Sequence, residues 1–224
     1  TFETAVLETR QVEIAEDYAR ELLARKPGDP KALCFRVRAL RSAGRDDEAT
    51  RLLETLRESS PNNTAAWKLE IRFGVIAWDW PKERVQKELL AFEAAHGEDA
   101  DALAWVATTR GAVFPLKDGP AYAANLAQKA LRLNPECVDA MGVLAMLAMQ
   151  SGNAREAKSL FSRALSLEPD NLEVLTALGV LEFNVGKLET AKALLQQVLR
   201  VDPYRANALE GIVLIGMKTR RFGE

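Results

Sequence analysis

Three stretches decide the fold: Leu133-Asn134-Pro135-Glu136-Cys137, Leu167-Glu168-Pro169-Asp170-Asn171 and Val201-Asp202-Pro203-Tyr204-Arg205. Their prolines, at 135, 169 and 203, recur every 34 residues, and Pro27 and Pro61 stand the same distance apart. Proline cannot continue a helix and drives its predecessor out of the helical region, so each marks a helix end. Midway through each period lies a second break, at Ala43-Gly44-Arg45, Ser151-Gly152-Asn153 and Val185-Gly186-Lys187, where glycine closes a helix in a left-handed conformation. Each period therefore reads as helix, short turn, helix. Five residues after each glycine comes Ala49, Ala157 or Ala191, followed four residues later by Leu53, Phe161 or Leu195. That spacing predicts a close helix crossing at the alanine, with the larger side chain filling the gap beyond it.

Composition agrees with an all-α chain. Of its 224 residues 48% are hydrophobic and 28% charged, with only 13 Gly and 9 Pro, enough apolar material for a fold throughout. Aromatic residues make up 7%, and the straight side chains that dominate lose little rotamer freedom in helices. A net charge of -2 and a pI near 5.7 argue against a nucleic-acid coat protein, which needs a strongly basic face. Cys34 and Cys137 are too few for a disulfide framework, and their spacing fits no zinc site. No apolar run reaches the roughly 18 residues that suggest a membrane span.

The 34-residue helix pairs with small residues at fixed crossings resemble the tetratricopeptide repeat (TPR) family. The resemblance is strongest from Val138 to Pro203, good from Pro30 to Pro61 and degenerate between them. It implies a right-handed superhelical solenoid, read as a single array over residues 1–224. A partial repeat covers 1–29, repeats start near Pro30, Thr64, Ala100, Val138, Leu172, and a partial repeat covers 206–224. Both ends interrupt repeats, so the chain is expected to be a segment of a longer TPR protein. Two extra residues between Pro61 and Gly97 are expected in the turn Ala77-Trp78-Asp79-Trp80-Pro81, and four between Gly97 and Pro135 in the loop from Val113 to Pro120. Arg36 and Glu70 occupy equivalent, normally buried positions of adjacent units and are expected to form a partly exposed ion pair across the stack.

Catalytic motifs are missing. The single histidine, His96, ends a helix and reads as a capping or surface residue. The run Gly179 to Lys187 has the wrong spacing for a phosphate-binding loop, and no nucleophile-elbow, metalloprotease or paired-cysteine motif occurs. No enzyme activity, metal or cofactor is expected. Asn62-Asn63-Thr64 is a formal glycosylation sequon that suits an inter-repeat turn better.

The resemblance also implies a binding face. In TPR units the first helix lines a concave surface through positions near two, five, nine, twelve and thirteen. At the N-terminal end these positions include Lys31, Arg38, Arg41, Lys68 and Arg72, with Cys34 among them, a basic set suited to an acidic segment or phosphate. At the C-terminal end they include Met146, Met149, Val180, Phe183, Leu214 and Met217, interleaved with Gln150, Asn184 and Glu210. Methionine and phenylalanine adapt to several apolar shapes, which suits an amphipathic helix or extended segment of another protein. The plain alternatives are packing against neighbouring helices for the apolar set and a solvated face for the basic one. Gly142, Met146, Thr176 and Val180 stand where chaperone-binding members of the family place a carboxylate clamp, so that clamp is absent. Trp78 and Trp80 either seal the lengthened turn or form an aromatic platform for a partner or sugar, while Trp67 is expected in the core. The expected role is a protein-interaction scaffold. The second function class is a carbohydrate- or polyanion-binding module of a bacterial envelope polysaccharide-export or secretion assembly. An RNA-binding solenoid is disfavoured because no aromatics interleave the basic positions.

Overall fold

The computed structural model describes residues 12–26, 29–59, 63–76, 80–114 and 119–221. Among these are twelve α-helices and no strand: α1 (Val12–Arg25), α2 (Pro30–Ser42), α3 (Asp46–Ser59), α4 (Thr64–Ile76), α5 (Lys82–Ala95), α6 (Ala100–Val113), α7 (Gly119–Leu133), α8 (Val138–Gln150), α9 (Ala154–Leu167), α10 (Leu172–Asn184), α11 (Leu188–Val201) and α12 (Ala206–Arg221). Pro27, Pro61, Trp78, the segment 115–118 and Phe222 lie outside the described residues, as does the side chain of Lys31.

The chemistry of the breaks sets the helix boundaries. Gly44, Gly152 and Gly186 have φ of 74°, 78° and 81°, the left-handed region in which a Cβ would be strained. The amide after each glycine donates to a carbonyl five residues back: Arg45 to Leu40 (2.9 Å), Asn153 to Ala148 (2.8 Å) and Lys187 to Glu182 (2.8 Å). These bonds satisfy carbonyls that the helix end would leave without partners. New helices begin on caps. Asp99 accepts from the amides of Asp101 and Ala102, and Asn171 from those of Glu173 and Val174, all at 3.0–3.1 Å.

In the regular units the first helix has 13 residues and the second 14, with three residues between them. The divergent middle departs from this at identifiable points. Residues 77–81 separate α4 from α5, which accounts for the two extra residues there. Residues 114–118 separate α6 from α7 and account for two of the four in the next period. The other two are absorbed by α6 and α7 themselves, with 14 and 15 residues.

The helices gather into two compact units, residues 1–92 and 93–224. In the first, α2 packs against α1, α3 and α4. Val37, Leu40, Ala49, Leu53, Leu56 and Phe73 bury themselves in one cluster, and Ala15, Ala19, Phe35 and Ala39 in another. Trp67 packs its ring edge-on against Phe92, with centroids 5.3 Å apart. In the second unit α6, α8 and α10 each contact their own second helix and the next first helix, so α6, α8, α10 and α12 form an inner row. Ala157 and Ala191 are fully buried, and Phe161 and Leu195 fill the space beyond them. Each of these two larger side chains contributes about 1.5–3 kcal/mol by leaving water.

Two expectations change in the first unit. Arg36 and Glu70 do not pair with each other: Arg36 faces Glu16 at 3.6 Å, while Glu70 accepts from Arg57 at 3.0 Å. Residues of adjacent helices reach these two first because each comes from the helix packed directly alongside. Cys34 does not face a groove but is buried with Val37 and Leu40.

Candidate partner-binding surfaces

In the second unit, the first helices α8, α10 and α12 leave a cavity of about 540 Å³. Its apolar wall is Met146, Met149, Val180, Phe183 and Leu214. Helical spacing explains the grouping, because positions nine and twelve of successive first helices lie on one face of the inner row. Leu195 from α11 forms the floor. It rises between α10 and α12 because both carry glycine there: a Cβ on Gly179 would lie 2.8 Å from Leu195 Cδ2, and one on Gly211 2.5 Å from Leu195 Cδ1. Met146 and Leu214 each remain 41% exposed, a large apolar area for residues that line one concavity.

Met217 shares the inner row's register but lies outside the cavity and is exposed. The Lys218 ammonium lies 5.0 Å from the centre of the Phe183 ring.

The cavity's rim is polar and consists of Glu173, Thr176, Asn184, Arg205, Asn207 and Glu210. Thr176 turns its hydroxyl inward and donates to the Leu172 carbonyl at 2.6 Å. Arg205 stands between two acids, 4.0 Å from Glu173 and 3.8 Å from Asp202. Glu210 is exposed and makes no ion pair among the described residues. A smaller depression of about 120 Å³ continues past Glu173 and is lined by Asp139, Gly142 and Asn171 among others. Sequence reasoning does not single out Glu173, Arg205 and Asn207. Glu173 and Asn207 stand at position two of their units, so the repeat frame carries the signal for both. Arg205 precedes its helix and falls outside that frame.

The basic residues lie in the first unit. Arg38 and Arg72 are exposed and make no ion pair among the described residues. Arg41 is half-buried, its guanidinium 4.6 Å from the centre of the Phe73 ring, and Lys68 lies 6.0 Å from that of Phe92. Burial pushes the Cys34 thiol up to about 11, opposed in part by the positive charge of Arg38.

Trp80 is half-buried. Its indole lies against Gly74, where a Cβ would sit 2.2 Å from Trp80 Cδ2. The Arg84 guanidinium covers the ring at 3.7 Å. Together with Asp46, Asp47, Glu54 and Glu70 it borders a depression of about 490 Å³. His96 is half-buried just beyond α5. Among the described residues no three His, Cys, Asp or Glu side chains converge to hold a metal, and no helix is long and apolar enough to cross a membrane.

Helix hairpins that bury one face on their neighbours and present an inner row with an open apolar concavity define an α-helical repeat protein. Sequence models of the tetratricopeptide repeat match residues 7–70 and 148–210, and 119–171, and the chain belongs to that family. Among solved structures, a chain of the APC/C hetero-tetramer Cut9-Hcn1 aligns with a TM-score of 0.72 at 14% identity, over 97% of this chain and 42% of that one. This chain thus spans about two-fifths of that relative's length. TTC0263, a thermophilic TPR protein of Thermus thermophilus, aligns with a TM-score of 0.66 at 20% identity, over 84% of this chain and 98% of that one. No curated protein matches the sequence.

Proposed function

We propose that the protein is a non-catalytic interaction scaffold whose second unit grips a segment of another protein in the concavity between α8, α10 and α12. The observation that carries this reading is the Met146, Met149, Val180, Phe183 and Leu214 wall: five apolar side chains converge on 540 Å³ of open space instead of closing over it. A preformed apolar concavity with a polar rim favours ligand side chains that leave water there. Methionine suits such a site because its unbranched chain adapts to the shape that enters.

The four methionines make the test direct. Met141 is fully buried in the core, whereas Met146 and Met149 line the cavity. With methyl-labelled methionine, NMR titration with peptides selected on the protein from a random library should shift Met146 and Met149 and leave Met141 in place. Val180→Asp should abolish both the shifts and the selection. Peptides that bind while shifting neither cavity methionine would refute the groove.

A second reading applies to the first unit, where Arg38 and Arg72 project with no acid paired to them among the described residues. It is the attraction of an acidic segment or anionic polymer, polysaccharide among them, through charge-assisted contacts. Replacing Arg38, Arg41 and Arg72 with glutamate should weaken binding to heparin at low salt without loss of helicity. Unchanged retention would refute this second reading alone.

A further inference from the structure

The charges around the cavity specify its occupant further. We infer that the α8–α10–α12 concavity takes a protein segment whose apolar side chains are flanked by lysine or arginine, and that it discriminates against acidic flanks. The inference rests on the groove reading above and adds the sign of the partner.

Two carboxylates, Glu173 and Glu210, line the cavity, against one guanidinium, Arg205. Arg205 is flanked by Glu173 and Asp202, so its charge is already offset. Glu210 has no such offset and stands on α12 beside Leu214, one turn from the apolar wall. An acidic ligand residue at that rim would meet an uncompensated carboxylate, and a basic one would find a partner. Lys218 lies over the Phe183 ring and outside the cavity's lining. The rim therefore presents negative charge along the side formed by the N-terminal halves of α10 and α12. A basic flank also extends long aliphatic stems that can lie along the apolar wall while the charged head stays in water.

Charge complementarity of this kind governs partner choice more than total affinity. One exposed pair corresponds to about a two- to fivefold preference. Selection of random peptides on the intact protein reads it without assuming a sequence. Wild-type protein should enrich Leu, Met, Ile and Phe together with Lys or Arg, and deplete Asp and Glu. Against Glu210→Gln the apolar enrichment should persist while the basic enrichment falls. Against Glu210→Lys the charge preference should reverse. For one selected peptide, synthetic versions with lysine or glutamate flanks should differ about two- to fivefold in Kd at low salt, and the difference should shrink at high salt.

Apolar enrichment with no charge preference, or with an acidic one, overturns this inference and leaves the groove reading intact. No apolar enrichment at all, with circular dichroism showing folded protein, overturns both. A basic preference undiminished by Glu210→Gln overturns the assignment of the rim.

Discussion

Replacing Glu182 with leucine should stabilise the protein, although it removes an ion pair. Glu182 is 1% exposed on α10, and one carboxylate oxygen bonds the ammonium of Lys158. The other lies 3.9 Å from Lys187 and, shut away from solvent, has no hydrogen-bond partner. Both lysines are about half exposed, at 48% and 60%. They recover water when the carboxylate goes, so screening leaves the lost attraction at about 0.2–1 kcal/mol. Relieving a buried acceptor without a hydrogen bond returns about 1–3 kcal/mol. Leucine fits the register, because the eleventh position of the unit starting at Pro30 is Leu40, buried to 2%. The net gain is about 1 kcal/mol, which for a chain of this size raises Tm by about 2–4 °C. Thermal melts followed by circular dichroism read the shift, and urea unfolding checks that the slope is unchanged. Lys158→Met should act in the opposite direction, since it strips a buried carboxylate of its nearest cation. The double variant should resemble Glu182→Leu alone. If Glu182→Leu melts below the native protein while Lys158→Met does not, the ion pair outweighs its desolvation and the reasoning fails.

Two further outcomes follow from local geometry. Gly142→Ala should gain about 0.5–1 kcal/mol from helix propensity, because its new Cβ meets nothing within 4 Å. Gly74→Ala should lose about 1 kcal/mol, since the indole of Trp80 stands 2.2–2.8 Å from the same added atom and displacing it exceeds the propensity gain; chemical denaturation that gave both variants the same sign would contradict this packing. The buried Cys34 thiol, pushed up from 9.0 to about 11, binds its proton more tightly in the folded than in the unfolded state. Its contribution is complete below pH 9 and declines as pH rises towards 11, by roughly 2–3 kcal/mol at most. Stability measured across that window should fall more steeply in the native protein than in Cys34→Ala, and parallel curves would remove the effect.

The helix pairs were legible because their signals are local and chemical: proline lacks an amide, and glycine alone adopts positive φ without strain. The cavity wall was legible for the same reason, since Met146, Val180 and Leu214 share position nine of a fixed frame. The frame is less informative at Cys34, which it places inward. There the fifth residue of α2 packs towards Val37 and Leu40 instead, and rotation of a helix about its axis is a property of its neighbours. Arg36 and Glu70 show the same limit: equivalence in the repeat gives two residues the same setting without bringing them together. Glu16 on α1 and Arg57 on α3 lie closer, and sequence spacing says nothing of side-chain reach between helices. The rim charge was legible only in part, because Arg205 sits in the connection before α12, outside the helical period.

The eleventh position shows how the repeat tolerates such divergence. It holds Leu40, Gly74, Arg110, Ala148, Glu182 and Gly216 in successive units. At Leu40, Ala148 and Glu182 the carbonyl accepts the bond that closes the helix, so the backbone there is fixed while the side chain varies. Three departures from an aliphatic residue meet a matched change on a nearby element. Gly74 admits the Trp80 indole. Arg110 is buried with its guanidinium 4.0 Å from the centre of the Tyr122 ring, and Tyr122 in turn donates to Glu93 at 2.7 Å. Glu182 receives Lys158 from α9. At these three sites the position diverges together with its contact, which couples residues that sequence periodicity treats as independent; Gly216 departs without one, since an added Cβ there would meet nothing within 4 Å. One side chain will not serve at all these sites: leucine suits 182, collides with an indole at 74, and at 110 would leave Tyr122 and Glu93 without the nearby positive charge.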